Sequence, residues 1–170
     1  MKKIITIFVI TILSSCGAPP HLQGKYQDTP FQIETSKSID DIWSNIIDLF
    51  ATQGLSIRII DKSSGLITSD KTSFLLFYSY EDKYGKLYKP DAFIVLNGIK
   101  NFLGEYLNPQ IVEGEWNVRV KRVENKTIIN VNLINIFAKY TSPSDPKTSY
   151  NLEAKSTGKF EQKIADIVNK

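Results

Sequence analysis

Apolar positions in this chain recur with two different periods, and the switches between them mark out its elements. Phe31-Gln32-Ile33-Glu34 alternates apolar and polar residues and predicts a short first strand. Ser38-Ile39-Asp40-Asp41 follows as a capping-box-like start, with Ser38 as the cap and Asp41 at the third helical position. Ile39, Ile42, Trp43, Ile46, Leu49 and Phe50 then form one continuous stripe at helical spacing, and Gly54 supplies the stop. Leu55, Ile57 and Ile59 alternate with Ser56 and Arg58, so a strand is predicted directly after the helix. A turn at 61–65 leads into a strand at 66–70. Further strands are predicted at 74–80 and 92–96, separated by a polar turn around Asp82 and Gly85.

Residues 97–114, with Gly98, Gly104, Pro109 and Gly114, predict a long irregular connection. Trp116, Val118 and Val120 alternate with polar residues, and Ile129, Val131, Leu133 and Phe137 do the same on the return. The turn Glu124-Asn125-Lys126 between them predicts an antiparallel hairpin. After a loop at 141–146, Tyr150, Leu152 and Ala154 alternate as a last strand. Ser156 and Thr157 then open a terminal helix with Phe160, Ile164, Ile167 and Val168 on one face. There is no internal repeat. The order strand, helix, several antiparallel strands, helix predicts an α+β fold. A single domain is expected, with a curved antiparallel sheet and an N-terminal and a C-terminal helix packed on one of its faces.

The amino terminus follows neither period. Met1-Lys2-Lys3 precedes an almost wholly apolar run over 4–13, which ends at Ser14-Ser15-Cys16-Gly17. That run is too short for a bilayer span, which needs roughly 20 residues, and its flanks are those of a secretory signal peptide. Leu13-Ser14-Ser15-Cys16 resembles a bacterial lipobox. The resemblance implies that the Cys16 thiol is alkylated with diacylglycerol and that cleavage makes Cys16 the first mature residue. Two or three acyl chains, of the palmitate kind, then hold the protein in a membrane far better than one could. Gly17, rather than Asp, after the cysteine implies outer-membrane placement facing the periplasm of a bacterial envelope. The division expected is therefore signal peptide at 1–15, lipidated flexible tether at 16–30 and α+β domain at 31–170. Pro19, Pro20, Gly24 and Pro30 suit the tether, and His21 is a solvated residue within it.

Two stretches, 31–72 and 156–168, carry a second resemblance. A strand, then Ser38-x-x-Asp41-x-Trp43 opening a helix, Gly54, a strand, and Asp61-Lys62-Ser63-Ser64-Gly65-Leu66-Ile67 resemble the helix-grip domains of BamC-type outer-membrane lipoproteins. The resemblance implies a curved sheet gripping the C-terminal helix, and an accessory binding module rather than an enzyme. Members of that family carry two such domains and a long N-terminal segment that docks on a partner. This chain has one domain and a short tether, so that contact is not implied.

Composition narrows the chemistry. One cysteine and one histidine exclude a cysteine–histidine nucleophile pair and any zinc site rich in those residues, and no cofactor is expected. Net charge is +3, but Lys2 and Lys3 lie in the leader; nineteen basic residues then face eighteen acidic ones, without a basic cluster. Nucleic acid is therefore not an expected partner. Ser156-Thr157-Gly158-Lys159 fits a Ser-x-x-Lys pattern, and so does Ser144-Asp145-Pro146-Lys147 in a loop. Ser156 and Thr157 read as helix-capping residues; a serine–lysine hydrolase would need Ser156 exposed beside Lys159. Asp40 and Asp41 suit the first turn of a helix, while Glu81 and Asp82 suit a turn.

Nine of the nineteen aromatic residues fall at 74–106. Phe74, Phe77 and Phe93 read as core. Tyr84, Tyr88 and Tyr106, among lysines and glycines, are candidate partner-binding residues, since tyrosine offers a large amphipathic surface with few rotatable bonds. The function expected is a non-catalytic, membrane-anchored envelope interaction or assembly module, its partner an envelope protein or glycan. The alternative is a carrier holding a lipid or small apolar ligand between sheet and helix.

Overall fold

Ser38 begins the first helix as its sequence requires: its Oγ accepts from the Asp41 amide at 3.1 Å and donates to the Asp41 carboxylate at 2.7 Å. The computed structural model describes residues 21–26 and 29–170. Their elements are β1 (Phe31–Thr35), α1 (Ile39–Thr52), β2 (Ile57–Asp61), β3 (Leu66–Ser69), β4 (Thr72–Ser73) and β5 (Tyr78–Tyr80). β6 (Ile94–Leu96), β7 (Ile111–Val123), β8 (Lys126–Thr141), β9 (Ser149–Asn151), β10 (Ala154–Ser156) and α2 (Lys159–Asn169) complete the chain. They build one α+β domain.

The larger sheet is antiparallel and runs β1-β8-β7-β3-β2, with β4 also paired to β7 and β9 to β8. The long β7–β8 hairpin is its axis. Val118 pairs with Val131 and Val120 with Ile129, all buried on one face, while Asn117 and Asn132 pair on the other. Both helices cover the apolar face. The α1 stripe buries Ile42, Trp43, Ile46, Leu49 and Phe50, and α2 buries Phe160, Ile164 and Val168. Phe160 stacks on Trp116 at 4.1 Å between ring centres and meets Phe50 edge-on at 5.8 Å.

A smaller sheet, β10-β6-β5, is absent from the sequence reading and includes a parallel pair, β5 with β6. Ile94, Val95 and Leu96 are fully buried, as a central strand covered on both faces requires. The predicted strand at 74–80 is shorter than expected. Phe74 donates its amide to Val112 O, and Phe77 donates to Phe74 O, so 74–77 is a turn carrying the chain from one sheet to the other. Likewise the strand expected through Tyr150 and Ala154 is two strands: β9 pairs with β8, β10 with β6, and buried Leu152 lies between. The irregular stretch ends at residue 110 because β7 starts at Ile111. The second helix begins at Lys159, with Gly158 as its cap.

Phe137 was expected inward with Leu133, and the structure reverses this. Between the pairs Glu113–Phe137 and Glu115–Ile134 the register slips by one, because β8 spends two residues opposite Gly114. Asn135 absorbs the bulge at φ 53°, a left-handed conformation that asparagine tolerates. Alternation changes phase there: Leu133 is inward before the bulge, Ala138 and Tyr140 after it, and Phe137 is exposed.

Removing the ring shared by both helices tests this packing. Phe160→Ala is expected to cost about 3–5 kcal/mol, seen as a lower urea midpoint with an unchanged m-value, tryptophan fluorescence serving as the probe.

Candidate functional site

Strand alternation puts Tyr78 and Tyr80, two residues apart on β5, on one face of the smaller sheet. The stretch after β6 folds back beside them through a bridge between Lys100 and Tyr106. Tyr106 stacks on Tyr80 at 4.3 Å with a 14° tilt, while Tyr78 meets Tyr80 edge-on at 5.5 Å and Tyr88 meets Tyr106 at 5.9 Å. Gly98 makes this approach possible: a Cβ there would lie 2.1 Å from the Tyr106 ring and 2.9 Å from that of Tyr80. Together Tyr78, Tyr80, Tyr88, Tyr106, Lys89 and Asn108 line an open groove of about 260 Å³.

Three of these phenols are donors already spent inside the protein. Tyr80 donates to Leu107 O at 2.6 Å, Tyr106 to Glu81 O at 2.8 Å and Tyr78 to Asn108 Oδ1 at 3.3 Å. Burial raises the pKa of all three, so they stay protonated and keep those bonds. The ammonium groups of Lys89 and Lys100 sit over the Tyr78 and Tyr106 rings at 5.2 and 4.6 Å. The groove therefore offers ring faces and fixed cations, suited to stacking and cation–π recognition rather than to proton transfer.

Of the tyrosines singled out in the sequence, Tyr88 and Tyr106 belong to this groove. Tyr88 is 60% exposed; Tyr106 is half-buried in the stack rather than free in a loop. Tyr84 stands apart at the turn after β5, 79% exposed, with Lys83 4.9 Å from its ring centre. Tyr78 and Tyr80 were not singled out as binding residues, although their two-residue spacing places both rings on the same side as Tyr88 and Tyr106.

The segment expected to be a free tether is fixed over its described part. The Glu81 carboxylate accepts from the amides of Gln23 and Gly24 and, at 2.6 Å, from the Tyr26 hydroxyl. Gly85, at φ 80°, leaves the room: a Cβ there would lie 2.7 Å from the Gly24 nitrogen. His21 Nδ1 lies 3.5 Å from a Glu153 carboxylate oxygen. Residues 21–26 thus form a strap along the smaller sheet, while Cys16 and the leader lie outside the described residues.

The remaining motifs settle into structural roles. Asp40 pairs with Lys62 at 2.7 Å. Ser156 is buried; its Oγ donates to Glu161 Oε1 at 2.6 Å and accepts from the Gly158 amide, so the exposed serine that a serine–lysine pair needs is missing. Thr157 Oγ1 donates to Ala92 O and accepts from the Lys159 amide. Glu161 borders a cavity of about 240 Å³, which Val131, Leu133, Ile136 and Ala154 also line, and its Oε2 has no partner among the described residues. Among the described residues no group of three or more His, Cys, Asp or Glu could hold a metal ion, and no helix is long and apolar enough to cross a membrane. No family model matches the chain, and no curated protein matches it.

Two measurements probe this region. Glu81→Ala is expected to speed amide exchange at Gln23 and Gly24 by roughly tenfold or more, since a hydrogen bond to a charged group contributes about 1.5–3 kcal/mol. The β7–β8 amides should keep their protection. For Glu161, burial raises the pKa against the opposing effect of the Ser156 hydroxyl, so the folded state binds this proton more tightly than the unfolded chain. The associated stability is present below the ordinary glutamate range and lost as pH rises through the folded value. Glu161→Gln should flatten that dependence and be the more stable protein at neutral pH, as urea midpoints across a pH series will show.

Proposed function

We propose that this protein is a lipid-anchored, non-catalytic module of the bacterial cell envelope, held on the periplasmic side of the outer membrane by acyl chains on Cys16. Its task is to bind an envelope protein or glycan through the tyrosine groove. The observation that carries the reading is the groove itself: the rings of Tyr78, Tyr80 and Tyr106 are held in place by internal hydrogen bonds, and Tyr88 stands open to solvent beside them. The lipobox-like Leu13-Ser14-Ser15-Cys16 supports the anchor. Because the phenol protons of Tyr78, Tyr80 and Tyr106 are engaged, a partner meets π surface and lysine charge. That favours flat apolar or sugar faces over a substrate to be cleaved.

A carrier reading draws on the cavity beside Glu161. Rings of Trp116, Phe50 and Phe160 fill the centre of the sheet–helix interface, so a ligand in that edge cavity would be a small molecule and not an acyl chain.

Crosslinking in intact cells of origin, followed by pull-down and mass spectrometry, tests the proposal. Wild-type protein is expected to recover one reproducible envelope partner, and Cys16→Ala to lose both it and the membrane fraction. Tyr88→Ala should sharply reduce recovery at unchanged protein level; recovery equal to wild type would remove the groove as the binding site. Point substitutions are required, because deletion of 84–106 would take out β6 and its fully buried Ile94, Val95 and Leu96.

A further inference from the structure

Between Lys100 and Tyr106 the chain makes a tight hairpin whose tip carries two large apolar side chains in water. Phe102 is 96% exposed and Leu103 68%. The tip is held in that form. Asn101 Oδ1 accepts from the amides of Leu103 and Glu105 at 2.9 and 3.0 Å, and the Asn101 side-chain amide donates to the Glu105 carboxylate. Gly104, at φ 80°, donates to Asn101 O, and the Asn101 amide donates to Glu105 O. Every polar bond in the turn is thus internal, while Phe102 and Leu103 gain nothing from the rest of the fold. A preformed turn presenting a phenylalanine and a leucine is built for an apolar environment outside the domain.

The strap shows which environment. The stem of this hairpin is fixed to Glu81 through the Tyr106 hydroxyl, and the same residue, through its carboxylate, holds the amide of Gln23. Cys16 lies seven residues before Gln23. A chain of that length spans at most about 25 Å when fully extended. If acyl chains on Cys16 sit in a bilayer, the end of the domain bearing the strap, the turn at 82–85 and this hairpin is kept within that distance of it. The surroundings have interfacial chemistry. Tyr84 and Tyr88 are exposed amphipathic rings, and Lys83 and Lys86 can extend their amines toward headgroups. The carboxylates at this end are largely engaged: Asp82 Oδ1 accepts from the Tyr84 and Lys86 amides, and Glu105 accepts from Asn101.

We infer that Phe102 and Leu103 enter the interface of the bilayer that carries the anchor, seating the domain on it by a second, non-covalent contact. This rests on the reading of Cys16 as lipidated. The hairpin becomes a foot beside the covalent anchor. The tyrosine groove then opens close to the headgroups, at a fixed height and orientation.

Purified lipidated protein reconstituted in phosphatidylcholine vesicles with brominated acyl chains tests the inference. Trp43 and Trp116 are buried, so their emission is a steady background to subtract. Phe102→Trp is expected to show blue-shifted emission and to lose most of its added intensity to bromine quenching. Leu76→Trp, 83% exposed in wild type on the turn before β5, at the other end of that strand from the strap-holding Glu81, should emit as in water and stay unquenched. Flotation with the vesicles is scored on the same samples. Protein that floats while the indole at 102 remains water-like and unquenched overturns the foot and leaves the anchor standing. Protein that does not float overturns the anchor and the foot with it. A blue shift appearing only when a crosslinked protein partner is added, without quenching, assigns the tip to that partner and also overturns the inference.

Discussion

The fold depends on one ring. Phe160 lies face to face with Trp116 of the larger sheet, edge-on to Phe50 of the first helix, and edge-on to Phe93 beside the smaller sheet at 5.7 Å. Among the described residues no other side chain joins both helices and both sheets through ring contacts of this kind. The smaller sheet has only short strands, and a sheet of that size has little stability by itself. It is held by what packs on it, and Phe93, stacked in turn on Phe77 at 5.4 Å, is part of that attachment. The tyrosine groove sits on this sheet, so its geometry is inherited from the aromatic core beneath.

The parts of the fold legible in the sequence are those in which periodicity runs long enough to be unambiguous. The α1 stripe with its Ser38 cap, the β7–β8 hairpin and the apolar face of α2 all qualify. The parts that were not legible break a period or have none. An extra residue at Asn135 turns the alternation of β8 over without any change in composition, which sent Phe137 to the wrong face. Ile94-Val95-Leu96 is uniformly apolar and says nothing of parallel pairing with β5, a strand fourteen or more residues away. The division of 149–156 into strands of two different sheets is likewise a tertiary choice, decided by where Leu152 finds its burial.

The candidate site was half legible for the same reason. An excess of aromatics over 74–106 could be counted, and Tyr88 and Tyr106 were recoverable from it. Tyr78 and Tyr80 looked like ordinary strand residues, and only the return of the chain through Gly98 stacks Tyr106 upon them. The strap was hidden more deeply. Its proline, glycine and polar residues have the composition of a linker, yet backbone amides need only one well-placed carboxylate, and Glu81 comes from the far side of the first five strands. Hydrogen bonds between residues so distant in sequence leave no pattern to read.

The pairing of β1 with β8 sets the order in which such a chain can be completed. Phe31 finds its partner in Val131, a hundred residues on, and the ring that locks both sheets belongs to the last element of the chain. Contacts this distant make for high contact order and slow closure. Until α2 is in place to supply Phe160, neither sheet has its shared ring and the core is unfinished.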